Sequence, residues 1–514
     1  LWKVKQFENS PIWKFENNCS IFKFPNFQIK LMLFNSVQFL LFFIVVTLAY
    51  YSLRWNMRWL LLLLASCYFY MVFKPIYILI LFATIIIDYF AGIWIASALG
   101  ARRKWLLVLS IITNVGILAV FKYFDFFAES FNAVSWKMGI AWSLPILKHL
   151  NPDLILPIGL SFHTFQAMSY TIEVYRGNQK AEHHFGVYAL YVMFYPQLVA
   201  GPIERPQNVL HQFHENHPYN WENVKAGLMR MAFGFFKKAV VADRLALMAG
   251  PAYLDPQHHN GLTLLVATFF YTFRIYCDFS GYSDIALGAA QVMGFKLMEN
   301  FRTPYFSKSI SEFWGRWHIS LSTWFRDYLY IPLGGNRVSE SRAYFNRMTV
   351  FLVSGLWHGA SWNFIIWGGL HGLYLVAASI RDKYLKRWNI TLPQGIWYGY
   401  LQVVITFLLV MLTWVFFAVG DNPKLTVGEE VRSSFLILNK MAHLSLSEPI
   451  QSALNGVEMW FCVVLIGILL LKEHYVLHIP TRKDSTFWVL FIALSILSYF
   501  FGVFDSNQFI YFQF

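Results

Sequence analysis

Residues 351–372 read FLVSGLWHGASWNFIIWGGLHG, and the reading of this stretch decides the fold. It is apolar enough to lie inside a membrane, yet it carries His358 and His371. It is also dense in small residues: Gly355, Gly359, Ala360, Gly368, Gly369 and Gly372. A histidine in hydrocarbon is costly to desolvate and is retained where it does chemistry. Small residues let helices, or a substrate chain, come close to the backbone. The stretch therefore reads as the reacting core of a multi-spanning membrane enzyme.

Composition agrees. Of 514 residues, 57% are hydrophobic and only 13% charged, too few charges to cover a soluble surface. The mean hydropathy of +0.45 points the same way. The expected fold class is all-α: one large helical domain spanning the bilayer, rather than a soluble enzyme on an anchor. Aromatic residues make up 19% of the chain and suit interfacial belts and helix packing. The formal charge of +13 is accounted for by Lys and Arg in short loops, where they set topology. No basic helix is interleaved with base-stacking aromatics, which argues against nucleic acid. Cys19, Cys67, Cys277 and Cys462 form no C-x-x-C pair and read as small apolar fillers.

Working outward from the core, apolar runs fall at 39–51, 60–73, 76–99, 105–123, 154–174, 185–199, more weakly at 224–247, then at 262–277, 402–419, 460–471 and 487–503. Residues 278–297 are less apolar and read as a half-helix or a partly buried turn and helix. Crossing ~30 Å of hydrocarbon takes about 20 helical residues, so the count is roughly eleven to thirteen membrane segments, some re-entrant or interfacial. Two spans separate the loop with Arg54 and Arg58 from the loop with Arg102, Arg103 and Lys104, so both lie on one side, and the positive-inside rule makes that side cytoplasmic. Residues 1–31 open on Leu1 and lack a signal-peptide pattern, whereas Met32 begins a natural first span. We expect 1–31 to be a non-native or disordered extension, an interfacial arm being the alternative, and 32–514 to form a single membrane domain. Lys3, Lys5, Lys14, Lys23 and Lys30 would otherwise sit on the wrong side.

Residues 309–331, SISEFWGRWHISLSTWFRDYLYI, form the second informative segment. Ser309 and Glu312 make an S-x-x-E capping box, so a helix is expected to start there. Helical spacing puts Glu312, Arg316, Ser320, Thr323 and Asp327 on one face and Phe313, Trp317, Leu321, Trp324 and Tyr328 on another. A third stripe, Ser311, Trp314, His318, Ser322 and Phe325, sets His318 among aromatics. Such a helix would lie along the membrane boundary or dip into it, and His318 could equally be an interfacial histidine satisfied by a neighbour. His318 and His358 are 40 residues apart and can meet only through tertiary folding.

No H-x-x-x-H or H-E-x-x-H spacing supports a metal site. The His183-His184 and His258-His259 pairs lie in polar stretches and are expected to be solvated. In FYPQLVAGPIERP, residues 194–206, Pro and Gly imply a rigid kinked turn. There Glu204 and Arg205 either pair with each other or touch a polar substrate, unless the loop is purely structural. In YCDFSGYSD, residues 276–284, Asp278 and Asp284 lie beside an apolar span and need partners, with Arg274 and Arg302 as candidates. No G-x-S-x-G elbow, P-loop or G-x-G-x-x-G occurs. What remains is a neutral histidine able to take a hydroxyl proton. With an already activated donor such as a thioester, positioning two substrates and removing that proton is sufficient.

The runs PQLVAGPIERPQ, YCDFSGYSDIALG, SISEFWGRWHISLSTWFRDYLYIPLGGNR and SGLWHGASWNFIIWGGLHG together resemble the membrane-bound O-acyltransferase family, in particular its branch that O-acetylates secreted polysaccharides such as alginate. The resemblance covers nearly all of 32–514, and 1–31 has no counterpart. It implies a helical membrane fold around a central channel, with the acyl donor entering from the cytoplasm and the acyl group passed toward an exported acceptor. The family's essential histidine lies in the motif matched by GLWHG, hence His358, and a second functional histidine in the motif matched by RWHIS, hence His318. The expectation is an O-acyltransferase of the cytoplasmic (inner) membrane that O-acetylates an exported polysaccharide or cell-envelope glycan. His358 is expected to be the general base, acting on the acceptor hydroxyl or on a carrier's serine. His318 would orient the donor or assist proton transfer. Trp357, Trp314, Arg326 and Glu204 are expected to touch substrate, and Asp278, Asp284 and Arg326 to belong to polar networks. No bound cofactor or metal is expected; acetyl-CoA or another activated acyl carrier would be a co-substrate, and periplasmic or extracytoplasmic transfer proteins, the glycan acceptor and membrane lipid the partners. A transporter or flippase without chemistry would show inverted repeats, and none is visible. A scaffold subunit of an export complex would tolerate loss of both histidines.

Overall fold

A computed structural model describes residues 32–140, 142–150, 156–198, 201–420, 422, 424–476, 478, 479, 481 and 483–504. The proposed extension 1–31, with Cys19, lies outside the described residues. Every regular element among them is helical. Among the described residues, six helices are long and apolar enough to cross a membrane: Tyr77–Ser97, Gly100–Lys137, Gly261–Val292, Trp362–Arg387, Ile396–Gly420 and Asp484–Phe501. Shorter or more polar helices, including Val37–Ser52, Arg58–Met71, Leu160–Arg176, Phe185–Met193 and Glu340–His358, pack among them. The chain is thus an all-α, multi-spanning membrane protein. Cys67, Cys277 and Cys462 are free thiols.

Two segments depart from the reading of the sequence. The apolar run read as ending at residue 123 instead continues as one helix. Gly100–Leu118 runs through a π-helical turn, Ala119–Tyr123, into Phe124–Lys137. Residues 278–297 do not form a separate half-helix; Gly261–Val292 is continuous over 32 residues. It survives its two carboxylates because both are matched. Asp278 pairs with Lys238 at 2.6 Å; Asp284 pairs with Lys237 at 2.5 Å and Arg230 at 2.9 Å. These ion pairs run to cations on the facing helix Trp221–Phe235 and its π-helical continuation Phe236–Ala242, which the sequence reading does not name. The two helices touch backbone to backbone. A Cβ on Gly227 would stand 2.6 Å from the Gly288 carbonyl oxygen, and one on Gly234 2.7 Å from that of Gly281. Only glycine permits this approach, which brings short-range ion pairing within reach.

Both arginine loops occupy one face. Arg58 donates to the His217 carbonyl (2.7 Å) and Arg103 to that of Tyr175 (2.7 Å). Arg176 and Arg205 then meet at Asp327, and Gln212 is cross-bonded to Lys296. The long helix ends on this basic face, where Tyr51 donates to the Val292 carbonyl at 2.7 Å. It begins at Asn260, bonded to Pro449 and Gln451 on the opposite face. At 1.5 Å per residue the two faces are about 48 Å apart along this helix.

Candidate active site

The central stretch folds as an antiparallel helix pair, Glu340–His358 and Trp362–Arg387. Its small residues are the contact. A Cβ on Gly355 would strike the Phe364 carbonyl, one on Gly368 the Phe351 carbonyl, and one on Gly359 the Phe364 ring. Glu340–His358 rises from the basic face and ends at His358 itself, so the imidazole sits where the chain turns back. Over its 19 residues this helix carries His358 about 28 Å from the basic end. The His358 ring is 2% exposed, with Trp357 and Trp367 edge-on at 5.0 Å and Phe417 at 5.3 Å.

The second segment differs from the single amphipathic helix expected. Ser309 does cap it, accepting from the Glu312 amide at 3.1 Å. Glu312, however, turns to the Lys308 amide and to Arg316 (2.6 Å), so only half of the capping box forms. The helix stops at Arg316 and a new one runs Ile319–Phe325, followed by a π-helical turn Arg326–Tyr330. Between them His318 adopts φ 42° and ψ 55°, a left-handed conformation that costs a non-glycine residue about 1–3 kcal/mol. Asn300 holds the break. Its carbonyl accepts from the Ile319 amide (2.9 Å), and its side-chain oxygen from the Ser320 amide (3.3 Å) and hydroxyl (2.7 Å). The Arg302 amide takes up the Arg316 carbonyl at 2.9 Å. The stripe through Ser311, Trp314 and His318 therefore does not continue to Ser322 and Phe325. The break turns His318 inward, fully buried, edge-on to Phe279 at 4.6 Å and with its ring centroid 6.4 Å from that of His358.

Of the residues singled out from sequence, His318, His358 and Trp357 come together. Trp357 packs against Phe162 (5.3 Å) and Phe165 (5.4 Å) and lies 6.2 Å from His318. Trp314 stands one ring further out, against Trp367 at 5.7 Å, its indole N–H donating to His371 Nδ1 at 3.3 Å. The other nitrogen of His371 lies 3.1 Å from Thr413, whose own hydroxyl proton goes to Val410, so His371 donates there through Nε2. With both nitrogens committed, His371 is a structural residue. Arg326 is on the basic face, 60% exposed and paired with Asp327 at 2.7 Å. Glu204 is buried in the Pro/Gly loop, accepting from the Met298 amide (2.5 Å) and Asn208 (3.2 Å); burial pushes its carboxyl up to about 7. His183, His184 and His258 are exposed, as expected, with His184 capping a helix and His258 paired with Asp255.

One cavity is lined by His358 itself, and a larger one is separated from His318 by the rings of Phe279 and Phe301. The larger, about 490 Å³, is lined by Gln291 and Glu299 near the basic face and by Ser283, Ser280 and Tyr276 deeper along the long helix. Gln291 to Tyr276 is about 22 Å of helix. Phe279, between the deepest lining residues, backs directly onto His318, as Phe301 does through Phe279 at 5.0 Å. The smaller cavity, about 20 Å³, is lined by His358, Trp357, Lys122, Pro157 and Gly159 to Phe162. A water needs about 10–15 Å³ of such space, so this chamber admits one water, or one hydroxyl group, beside His358. Lys122 and Ser161 are site residues that the sequence reading does not single out. An ionisable residue inside the apolar run 105–123 is the signal that points to Lys122.

Comparisons with known proteins bear on this arrangement. The model of the MBOAT, membrane-bound O-acyltransferase family matches residues 178–419, which include both histidines. A probable alginate O-acetylase AlgI of Pseudomonas syringae is 40% identical over 443 residues, covering 85% of this chain and 81% of the relative. A peptidoglycan O-acetyltransferase of Helicobacter pylori is 36% identical over 425 residues, 77% of each chain. A teichoic acid D-alanyltransferase of Bacillus subtilis is 30% identical over 285 residues, 51% of this chain and 70% of the relative. These relatives are matched over more than two thirds of their own lengths, and the chain belongs to the membrane-bound O-acyltransferase family.

Proposed function

We propose that this acyltransferase O-acetylates an exported polysaccharide or cell-envelope glycan, taking the acyl group from an activated donor on the cytoplasmic side. The observation that carries the reading is the position of His318 and His358. They lie side by side between a deep cavity reached from the basic face and a one-hydroxyl chamber remote from it. The arginines of the basic face support its facing the cytoplasm, with the protein in the inner membrane, by the positive-inside rule. The donor, acetyl-CoA or another acyl thioester, occupies the larger cavity with its acyl end toward His318. The acceptor hydroxyl, on the glycan or on a carrier's serine supplied by an extracytoplasmic partner, meets His358 at the chamber.

The chemistry needs little more. Neutral His358 takes the hydroxyl proton as the oxygen adds to the donor carbonyl. The carbonyl–sulfur bond then breaks, and the departing sulfur takes the proton back. An ester and a free thiol result, with no covalent enzyme intermediate. Excluding all but one hydroxyl from the chamber protects the thioester from bulk water. Trp357 forms a chamber wall and would orient the acceptor; the positions of Trp314, Arg326 and Glu204 suit support of the scaffold better than substrate contact. The names of the relatives suggest alginate, peptidoglycan or teichoic acid as acceptor classes.

Deleting the protein from its host is expected to remove ester-linked acetate from one surface glycan, measured by mass analysis with and without the gene. Unchanged esterification of every envelope glycan would contradict the proposal. A non-catalytic flippase would instead change the amount of exported glycan at constant acetyl content.

A further inference from the structure

We propose that Lys122 is a positioning residue for His358, fixing the end of the helix that carries it and hence the direction of its imidazole. This rests on the assignment of His358 as the base. Three observations meet at Lys122. Its ammonium lies 2.6 Å from the Trp357 carbonyl, 3.3 Å from the His358 carbonyl and 3.2 Å from the Ser161 hydroxyl. It belongs to the π-helical turn Ala119–Tyr123, which interrupts an otherwise α-helical run of 38 residues. And it lines the 20 Å³ chamber together with Ser161 and His358.

The last carbonyls of an α-helix have no partner within the helix, and a cation there satisfies them and complements the helix dipole. Glu340–His358 ends inside the protein, because Gly359 is extended (φ −165°, ψ 155°) and the chain turns straight into the next helix. The terminal carbonyls of Trp357 and His358 are therefore cut off from bulk water, and a donor from elsewhere in the fold satisfies them. Lys122 supplies it from a neighbouring span. π-Helical turns are over-represented at functional sites because they re-aim a side chain. Here the bulge aims an ammonium at the backbone of the two residues whose side chains wall the chamber. Ser161, at the start of Leu160–Arg176, completes the clamp and ties in a third helix. The ammonium also lies over the Trp357 ring at 5.7 Å, bracing the other chamber wall. Without this clamp the helix end would be free to rotate, and the ring of His358 would swing relative to the chamber.

The test compares Lys122→Met, Lys122→Ala and His358→Ala, each expressed in a host deleted of its own copy, with ester-linked acetate on the surface glycan measured over time and protein level and thermal transition measured in detergent. A misplacement of about 1 Å typically costs about 100-fold in rate, and that loss is expected for Lys122→Met at an unchanged thermal transition. Adding propylamine to Lys122→Ala is expected to recover about tenfold of the lost rate by refilling the ammonium site, while His358→Ala is not rescued. Lys122→Met within about threefold of wild type overturns the proposal, as does a loss that accompanies collapse of the thermal transition and is not rescued by amine. If His358→Ala is also as active as wild type, it is the proposed function that fails; if only Lys122→Met is active, the function stands and the positioning role falls.

Discussion

His358→Ala is expected to lower O-acylation about 10³-fold or more, the scale on which general bases contribute. The loss follows from what else could take the proton. Of the four buried histidines, His163 follows the chamber residues Gly159 to Phe162 but is not among the lining, and His371 has both nitrogens committed, to Trp314 and Thr413. His318 is turned toward the deep cavity wall at Phe279. His358 alone of the four lines the chamber that admits one hydroxyl. Alanine also empties space among Trp357, Trp367 and Phe417, so His358→Gln, which keeps most of the volume, should be measured beside it. Both variants are expected to accumulate in the membrane at wild-type level while ester-linked acetate on the glycan disappears. A glutamine variant with more than about a tenth of wild-type activity would remove His358 from the base role.

The second large effect is on stability. Lys238 is 1% exposed and lies between two buried carboxylates, Asp243 at 2.7 Å and Asp278 at 2.6 Å. Lys238→Met removes the ammonium of that triad and leaves two carboxylates facing each other away from water. Breaking a buried pair in this way costs about 3–5 kcal/mol, more than any single apolar truncation on the lipid-facing surface should. The thermal midpoint in detergent is expected to fall sharply. Adding Asp278→Asn and Asp243→Asn to Lys238→Met should restore much of it, because neutral amides can stay buried if hydrogen-bonded. A Lys238→Met protein that melts with wild type would show that the carboxylates are neutralised by other means. The triad also bears on the site: Asp278 precedes Phe279, whose ring backs His318, so this ion cluster fixes the wall between the deep cavity and the histidine pair.

Much of this is legible in the sequence, and the rest is concealed for identifiable reasons. His358 stands out because an imidazole in an apolar, glycine-rich run is seldom there for packing alone, and the glycines around it prove to be the helix contact. The side on which the arginine loops meet is readable from a count of spans. The break at His318 is not, because the nearby glycine, Gly315, lies inside the first helix and the residue that takes the left-handed turn is a histidine. The left-handed turn is imposed from outside by Asn300, nearly twenty residues earlier in the chain. Helical periodicity consequently places Ser322 and Phe325 on the stripe of His318, where they do not belong. Proximity in the chain does not point Asp278 and Asp284 to the cations that pair with them on the facing helix. The true partners, Lys237, Lys238 and Arg230, sit in a segment whose apolar signal is weak because it is full of the charges it contributes. Lys122 is hard to see because one lysine hardly alters the hydropathy of a long span, although its chemistry does alter what that span is for.

The central claim is that one imidazole receives a proton from an acceptor on one side of the membrane while the acyl donor is presented from the other. Purified protein sealed into vesicles, with radiolabelled acetyl-CoA outside and de-esterified alginate oligosaccharides trapped inside, tests both parts together. The account predicts that label appears on the trapped glycan with wild-type protein and falls about 10³-fold with His358→Ala. Equal labelling by the two proteins, or labelling only of glycan placed on the same side as the donor, would contradict it.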